Sequence, residues 1–95
     1  MYSKKYKITE LLIRGSQALI YKAINKISNK IVIIKEFHKN NYLDGLLEYK
    51  SIWKIGKHPN ISTLLDYYRN DKKIILIYEC YDLDFYFYLE DEIKL

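Results

Sequence analysis

Apolar and polar positions along the chain follow strand-like patterning on either side of a central stretch with helical spacing. Tyr6 to Arg14 and Leu19 to Lys26 read as two strands, joined by a short turn at Gly15-Ser16-Gln17-Ala18. Ser28-Asn29 turns the chain into Lys30 to Phe37, whose Ile-Val-Ile-Ile run has the β-branching of a strand covered on both faces. His38 to Asn41 is polar loop. From Tyr42 to Ile55 the period becomes helical, with Leu43, Leu46, Leu47, Ile52, Trp53 and Ile55 predicting a wide apolar stripe. Gly56 and Pro59 mark the helix end. Ser62 to Arg69 and Lys73 to Cys80 predict a hairpin across Asn70-Asp71-Lys72, and Leu83 to Glu92 reads as the start of a second helix. Five mainly antiparallel strands with one packed helix make an α+β domain spanning residues 1–95.

Composition narrows the class. The 95 residues are 49% hydrophobic with three Gly and one Pro, which argues against disorder and low-complexity linkers. The apolar runs stop far short of a membrane span, and Met1-Tyr2-Ser3-Lys4-Lys5 leads into no apolar signal segment, so an intracellular domain with no membrane partner is expected. The lone Cys80 leaves no internal disulfide and no cysteine-based zinc cluster.

Charge is uneven. Residues 1–57 carry 12 basic and 4 acidic groups, whereas residues 58–95 carry 4 basic and 8 acidic. A basic half beside eleven tyrosines raises the question of nucleic acid, since lysines neutralise phosphates and rings stack on bases. The lysines are scattered, however, and only Arg14 and Arg69 are arginine, so a solvated lysine surface is the favoured reading.

Candidate chemistry lies in four stretches. Leu12-Ile13-Arg14-Gly15-Ser16-Gln17-Ala18-Leu19-Ile20 places one glycine in a turn between strands; an ordinary β-turn has the same local sequence. Val32-Ile33-Ile34-Lys35 ends a β-branched run on a lysine, whose ammonium needs an anion if it points inward. Glu48 stands at i with Ile52 and Ile55 at i+4 and i+7, which puts a carboxylate on an apolar helix face, and His58-Pro59-Asn60-Ile61 follows ten residues later. Last comes Ile74-Ile75-Leu76-Ile77-Tyr78-Glu79-Cys80-Tyr81.

In this order the stretches resemble the N-terminal lobe of eukaryotic-type protein kinases, from about Tyr6 to Leu89. The first is similar to the glycine-rich loop, with Gly15 alone kept of its three glycines; the second resembles the V-A-I-K strand. The resemblance implies that Lys35 holds nucleotide phosphates and pairs with Glu48, the two catalytic positions of this lobe. It also implies ATP contacts at Leu12, Gly15, Ile20, Ile33, Lys35, Tyr78, Glu79 and Tyr81, and no metal ligand.

Departures from the family pattern temper those implications. Ile33 stands where the family has a small alanine, and Ile13 where it has a glycine, so both crowd the nucleotide and weaken the expected ATP affinity. The sequence contains no H-R-D-x-x-x-x-N, D-F-G or A-P-E motif, which in the family supply the base and both Mg²⁺ ligands. The expectation is therefore a partial kinase domain related to ATP-dependent Ser/Thr phosphorylation, unable to transfer a phosphoryl group alone, with Mg²⁺ bound only beside a second lobe. The alternative is a non-catalytic, pseudokinase-like protein-binding module. Aromatics at Tyr78, Tyr81, Phe85, Tyr86 and Phe87 also predict an open apolar patch, and with it self-association or a protein partner through residues 78–89.

Overall fold

The most apolar stretch of the sequence becomes the middle of a sheet. The computed structural model describes residues 4–55 and 64–80. Within them β1 (Tyr6–Arg14), β2 (Ala18–Asn25), β3 (Ile31–Phe37), β4 (Leu64–Arg69) and β5 (Ile74–Glu79) form one five-stranded sheet in the order β1-β2-β3-β5-β4. Every pairing is antiparallel. The helix α1 (Tyr42–Ile55) follows a 3-10 turn at Lys39–Asn41 and packs against β5 and β3. Strand ends differ from the sequence expectation by a residue or so, because hydrogen bonding rather than patterning decides where pairing stops. The expected Leu83–Glu92 helix and the His58-Pro59-Asn60-Ile61 loop lie outside the described residues.

Alternation along the strands sorts side chains onto two faces. Ala18, Ile20, Ile33, Phe37, Ile74, Leu76 and Tyr78 form the core on the α1 side, joined by Leu46 and Tyr49 of the helix. Tyr6, Ala23, Val32, Ile34, Ile75 and Ile77 form a second cluster on the other face. β3 and β5 feed both clusters, which explains their continuous runs of β-branched residues.

Two of the three hairpin turns rest on asparagine. Asn25 Oδ1 accepts the N–H groups of Ile27 and Ser28, and Asn29 takes a left-handed φ of 61°. Asn70 Oδ1 likewise accepts the N–H groups of Lys72 and Lys73, both at 2.8 Å.

β1 is an edge strand interrupted by two register shifts, between Ile8 and Glu10 and between Leu11 and Ile13. Such irregularities bend a strand and add twist, which also blunts an exposed edge. Tyr6, at the start of β1, is buried on the outer face, and its hydroxyl donates to Asp66 Oδ2 at 2.7 Å. Lys5 Nζ reaches the same oxygen at 3.1 Å. These contacts tie β1 to β4, the opposite edge of the sheet.

The expected apolar stripe of α1 needs correction. Leu43 and Leu47 are 71% and 63% exposed, whereas Leu46 packs on the core. The face that meets the sheet is centred on the smallest residue of the helix. A Cβ on Gly45 would lie 2.9 Å from two Phe37 ring carbons and 3.1 Å from Ile74 Cβ. The helix backbone therefore sits directly on the sheet, and the bulky leucines either side of that contact turn outward. The side chains of Ile52, Trp53 and Ile55 lie outside the described residues.

Candidate functional site

Period-two alternation puts Ile33, Lys35 and Phe37 on the α1 side of β3. Lys35 stands opposite Ile20 of β2 and Leu76 of β5, and its side chain is 4% exposed. An ammonium in such apolar company is costly without an anion. Glu48 supplies it: Lys35 Nζ donates to Glu48 Oε1 at 2.7 Å, and the Phe37 ring centroid lies 5.1 Å from the same nitrogen.

Glu48 owes its place to the close helix contact. It lies three residues after Gly45, on the same helix face, so the approach at Gly45 carries its carboxylate over β3. Its second oxygen is also engaged. Tyr78 Oη donates to Glu48 Oε2 at 2.5 Å. Tyr78 belongs to β5, opposite Ile33, and shares a face with Leu76 and Ile74. Three buried side chains from β3, α1 and β5 thus form one continuous polar chain. Removing one partner of such a pair commonly costs about 3–5 kcal/mol, because the other charge stays buried.

The turn between β1 and β2 is closed by Gly15 N–H donating to Ala18 O at 3.0 Å. A second tie comes from His38. Its backbone N–H donates to Gln17 O at 3.0 Å, and its Nε2 lies 3.1 Å from Gly15 O. A carbonyl only accepts, so this ring nitrogen carries the hydrogen. The sequence treats His38 as polar loop; the available signal was its place directly after a strand that pairs with β2.

The expected nucleotide-contacting residues converge in part. Ile20 and Ile33 are fully buried in the α1-side cluster, Tyr78 is 4% exposed, and Leu12, Ile13 and Cys80 pack against the same cluster. Glu79 is half-buried, and Tyr81 lies outside the described residues. The burial of Tyr78 corrects the expectation that it opens an aromatic patch; Phe85, Tyr86 and Phe87 lie outside the described residues. Lys35 is the cation of this region and is already paired with Glu48, and Ile20 and Ile33 lie fully buried in the same core. Among the described residues no group of three His, Cys, Asp or Glu is placed to hold a metal.

Asp66 gathers Lys5, Tyr6 and Tyr68 on the opposite face. Burial, then the Asp66 hydrogen bond and its negative charge, push the Tyr6 hydroxyl well above the usual tyrosine range. Burial and the Asp66 charge also raise Tyr68. This cluster holds two strands together and lies across the sheet from Lys35.

The same lobe occurs in known kinases. The chain is 35% identical over 89 residues to mitogen-activated protein kinase 15 of Xenopus laevis, covering 86% of this chain and 15% of that protein. It is 32% identical over 91 residues to a probable cyclin-dependent serine/threonine-protein kinase of Dictyostelium discoideum, covering 94% of this chain and 6% of that one. The autoinhibited serine kinase domain of titin superposes on 81% of this chain with a TM-score of 0.68 and 26% identity. These residues form a protein-kinase N-terminal lobe. No family model matches the sequence. The kinase lobe spans less than a quarter of each of these proteins. Among the described residues, no helix of the lobe is long and apolar enough to cross a membrane.

Proposed function

We propose that this lobe supplies the phosphate-facing half of a Ser/Thr-type protein kinase site, with Lys35 as the cation and Glu48 as its anchor. The single observation that carries this reading is the 2.7 Å contact from Lys35 on β3 to Glu48 on α1. In protein kinases both this pair and the metal-holding motifs must be in place for transfer. The 95 residues contain the first and lack the second, so the chain alone transfers no phosphoryl group. ATP would supply that group; what this chain contributes is a fixed cation and a carboxylate that keeps it pointed inward. Incubating the 95-residue protein with labelled ATP, Mg²⁺ and generic substrates tests this. Incorporation should not exceed that of a Lys35→Ala control, and robust Lys35-dependent transfer would overturn the reading.

A second reading, a pseudokinase-like protein-binding lobe, is favoured by the full burial of Ile20 and Ile33. It expects no ATP binding, and a partner or second copy held through the segment 78–89. Sedimentation with hydrophobic-dye binding at micromolar concentration tests it; a clean monomer that takes up no dye would remove it.

A further inference from the structure

The resemblance places Tyr78 beside the adenine, yet its hydroxyl is turned to Glu48. We propose that Tyr78 is a positioning residue: it fixes the Glu48 carboxylate, and through it α1, independently of any bound nucleotide. The inference rests on the reading of Lys35 and Glu48 as the kinase ion pair.

The argument is one of rigidity. Lys35 reaches Glu48 along a flexible four-carbon stem, which can follow its partner over a range of positions. Tyr78 has two side-chain torsions, a ring packed in the α1-side core, and a backbone fixed in β5 by pairing with both Ile33 and Leu64. Its hydroxyl therefore offers Glu48 a donor at one place only. A carboxylate held by a lysine alone can rotate about its last torsion; one held on Oε2 by Tyr78 presents Oε1 to Lys35 in a set direction. The rigid strand sets the carboxylate, and the ammonium follows. Tyr78 also sits at the end of β5, next to Glu79 and Cys80, so displacement of that segment is felt at Glu48 through one side chain.

The 95-residue protein tests this by NMR. In Tyr78→Phe, which keeps the ring, the Glu48 side-chain carboxylate carbon should shift. Amide exchange in α1 should become about tenfold faster while β2 and β3 keep their protection. Lys35→Met should also move the Glu48 signal. If Lys35→Met moves it and Tyr78→Phe changes neither Glu48 nor α1, the positioning role is wrong and the ion-pair reading stands. If Lys35→Met leaves Glu48 unmoved, the ion-pair reading fails and takes the inference with it. The unsubstituted protein gives a check that needs no variant to fold. A slowly exchanging Tyr78 hydroxyl proton with a nuclear Overhauser effect to Glu48 is expected, and its absence would overturn the proposal.

Discussion

Replacing Gly45 with alanine sets two opposed effects against each other at one residue. In a helix interior the change favours folding by about 1 kcal/mol, because glycine loses more backbone freedom than alanine. Here, however, the new Cβ would stand 2.9 Å from two carbons of the Phe37 ring and 3.1 Å from Ile74 Cβ. Carbon atoms rest at about 3.5–4.0 Å, so α1 or the ring must withdraw by about 0.6–1 Å. Phe37 and Ile74 are both buried in the core, and neither is the loose end of a flexible chain. Overpacking of this kind costs about 1–3 kcal/mol. Glu48 moves with the helix, one turn further along, so the Lys35 contact is stretched as well. The expected net result is a loss of about 1–2 kcal/mol, or roughly 4–16 °C in Tm for a domain of this size. Urea unfolding of both proteins, followed by circular dichroism, reads the sign directly. A gain of stability in Gly45→Ala would show that the helix does not sit on Phe37, and the account of how Glu48 reaches Lys35 would fail with it.

Other substitutions address separate parts of the structure. Ile33→Ala removes the side chain that fills the purine end; it should cost about 2–5 kcal/mol of stability yet strengthen ATP binding, measured with a fluorescent analogue. Binding that stays unchanged in a folded Ile33→Ala protein would show that Ile33 is not the obstruction. The raised Tyr6 hydroxyl links stability to alkaline pH: the unfolded chain loses that proton first, so its contribution is complete below about pH 10 and falls above it. Tyr6→Phe should accordingly flatten the decline in unfolding free energy, read from urea titrations between pH 9.5 and about 11, by about 1.4 kcal/mol per pH unit at most. Parallel curves for the two proteins would remove Tyr6 from the alkaline response.

Much of this was legible in the residues, for stated physical reasons. Strand alternation and the asparagine and glycine turns placed all five strands, because local backbone geometry dominates there. Lys35 and Glu48 each stood out because a charged group inside an apolar pattern needs a partner, and the resemblance to the kinase lobe paired them. The helix face was misjudged because counting large apolar side chains finds Leu43 and Leu47, whereas close packing was decided by the absence of a side chain at Gly45. Tyr78 looked like surface because aromatics follow it, but its β5 partners Ile74 and Leu76 share the buried face, and the alternation carries it inward. The Tyr6–Asp66 contact joins residues 60 positions apart through the bend of β1, and no local pattern announces it.

The central claim is that Lys35 and Glu48 act as one buried unit linking β3 to α1. A double-mutant cycle with Lys35→Met and Glu48→Gln, read from urea unfolding, measures it most directly. Each single change should cost about 3–5 kcal/mol, since each strands a buried polar partner. The double change should cost little more than either one, giving a coupling well above the roughly 0.5 kcal/mol of independent sites. Two costs that simply add would mean that the residues do not meet, and the kinase-like ion pair would not exist in this lobe.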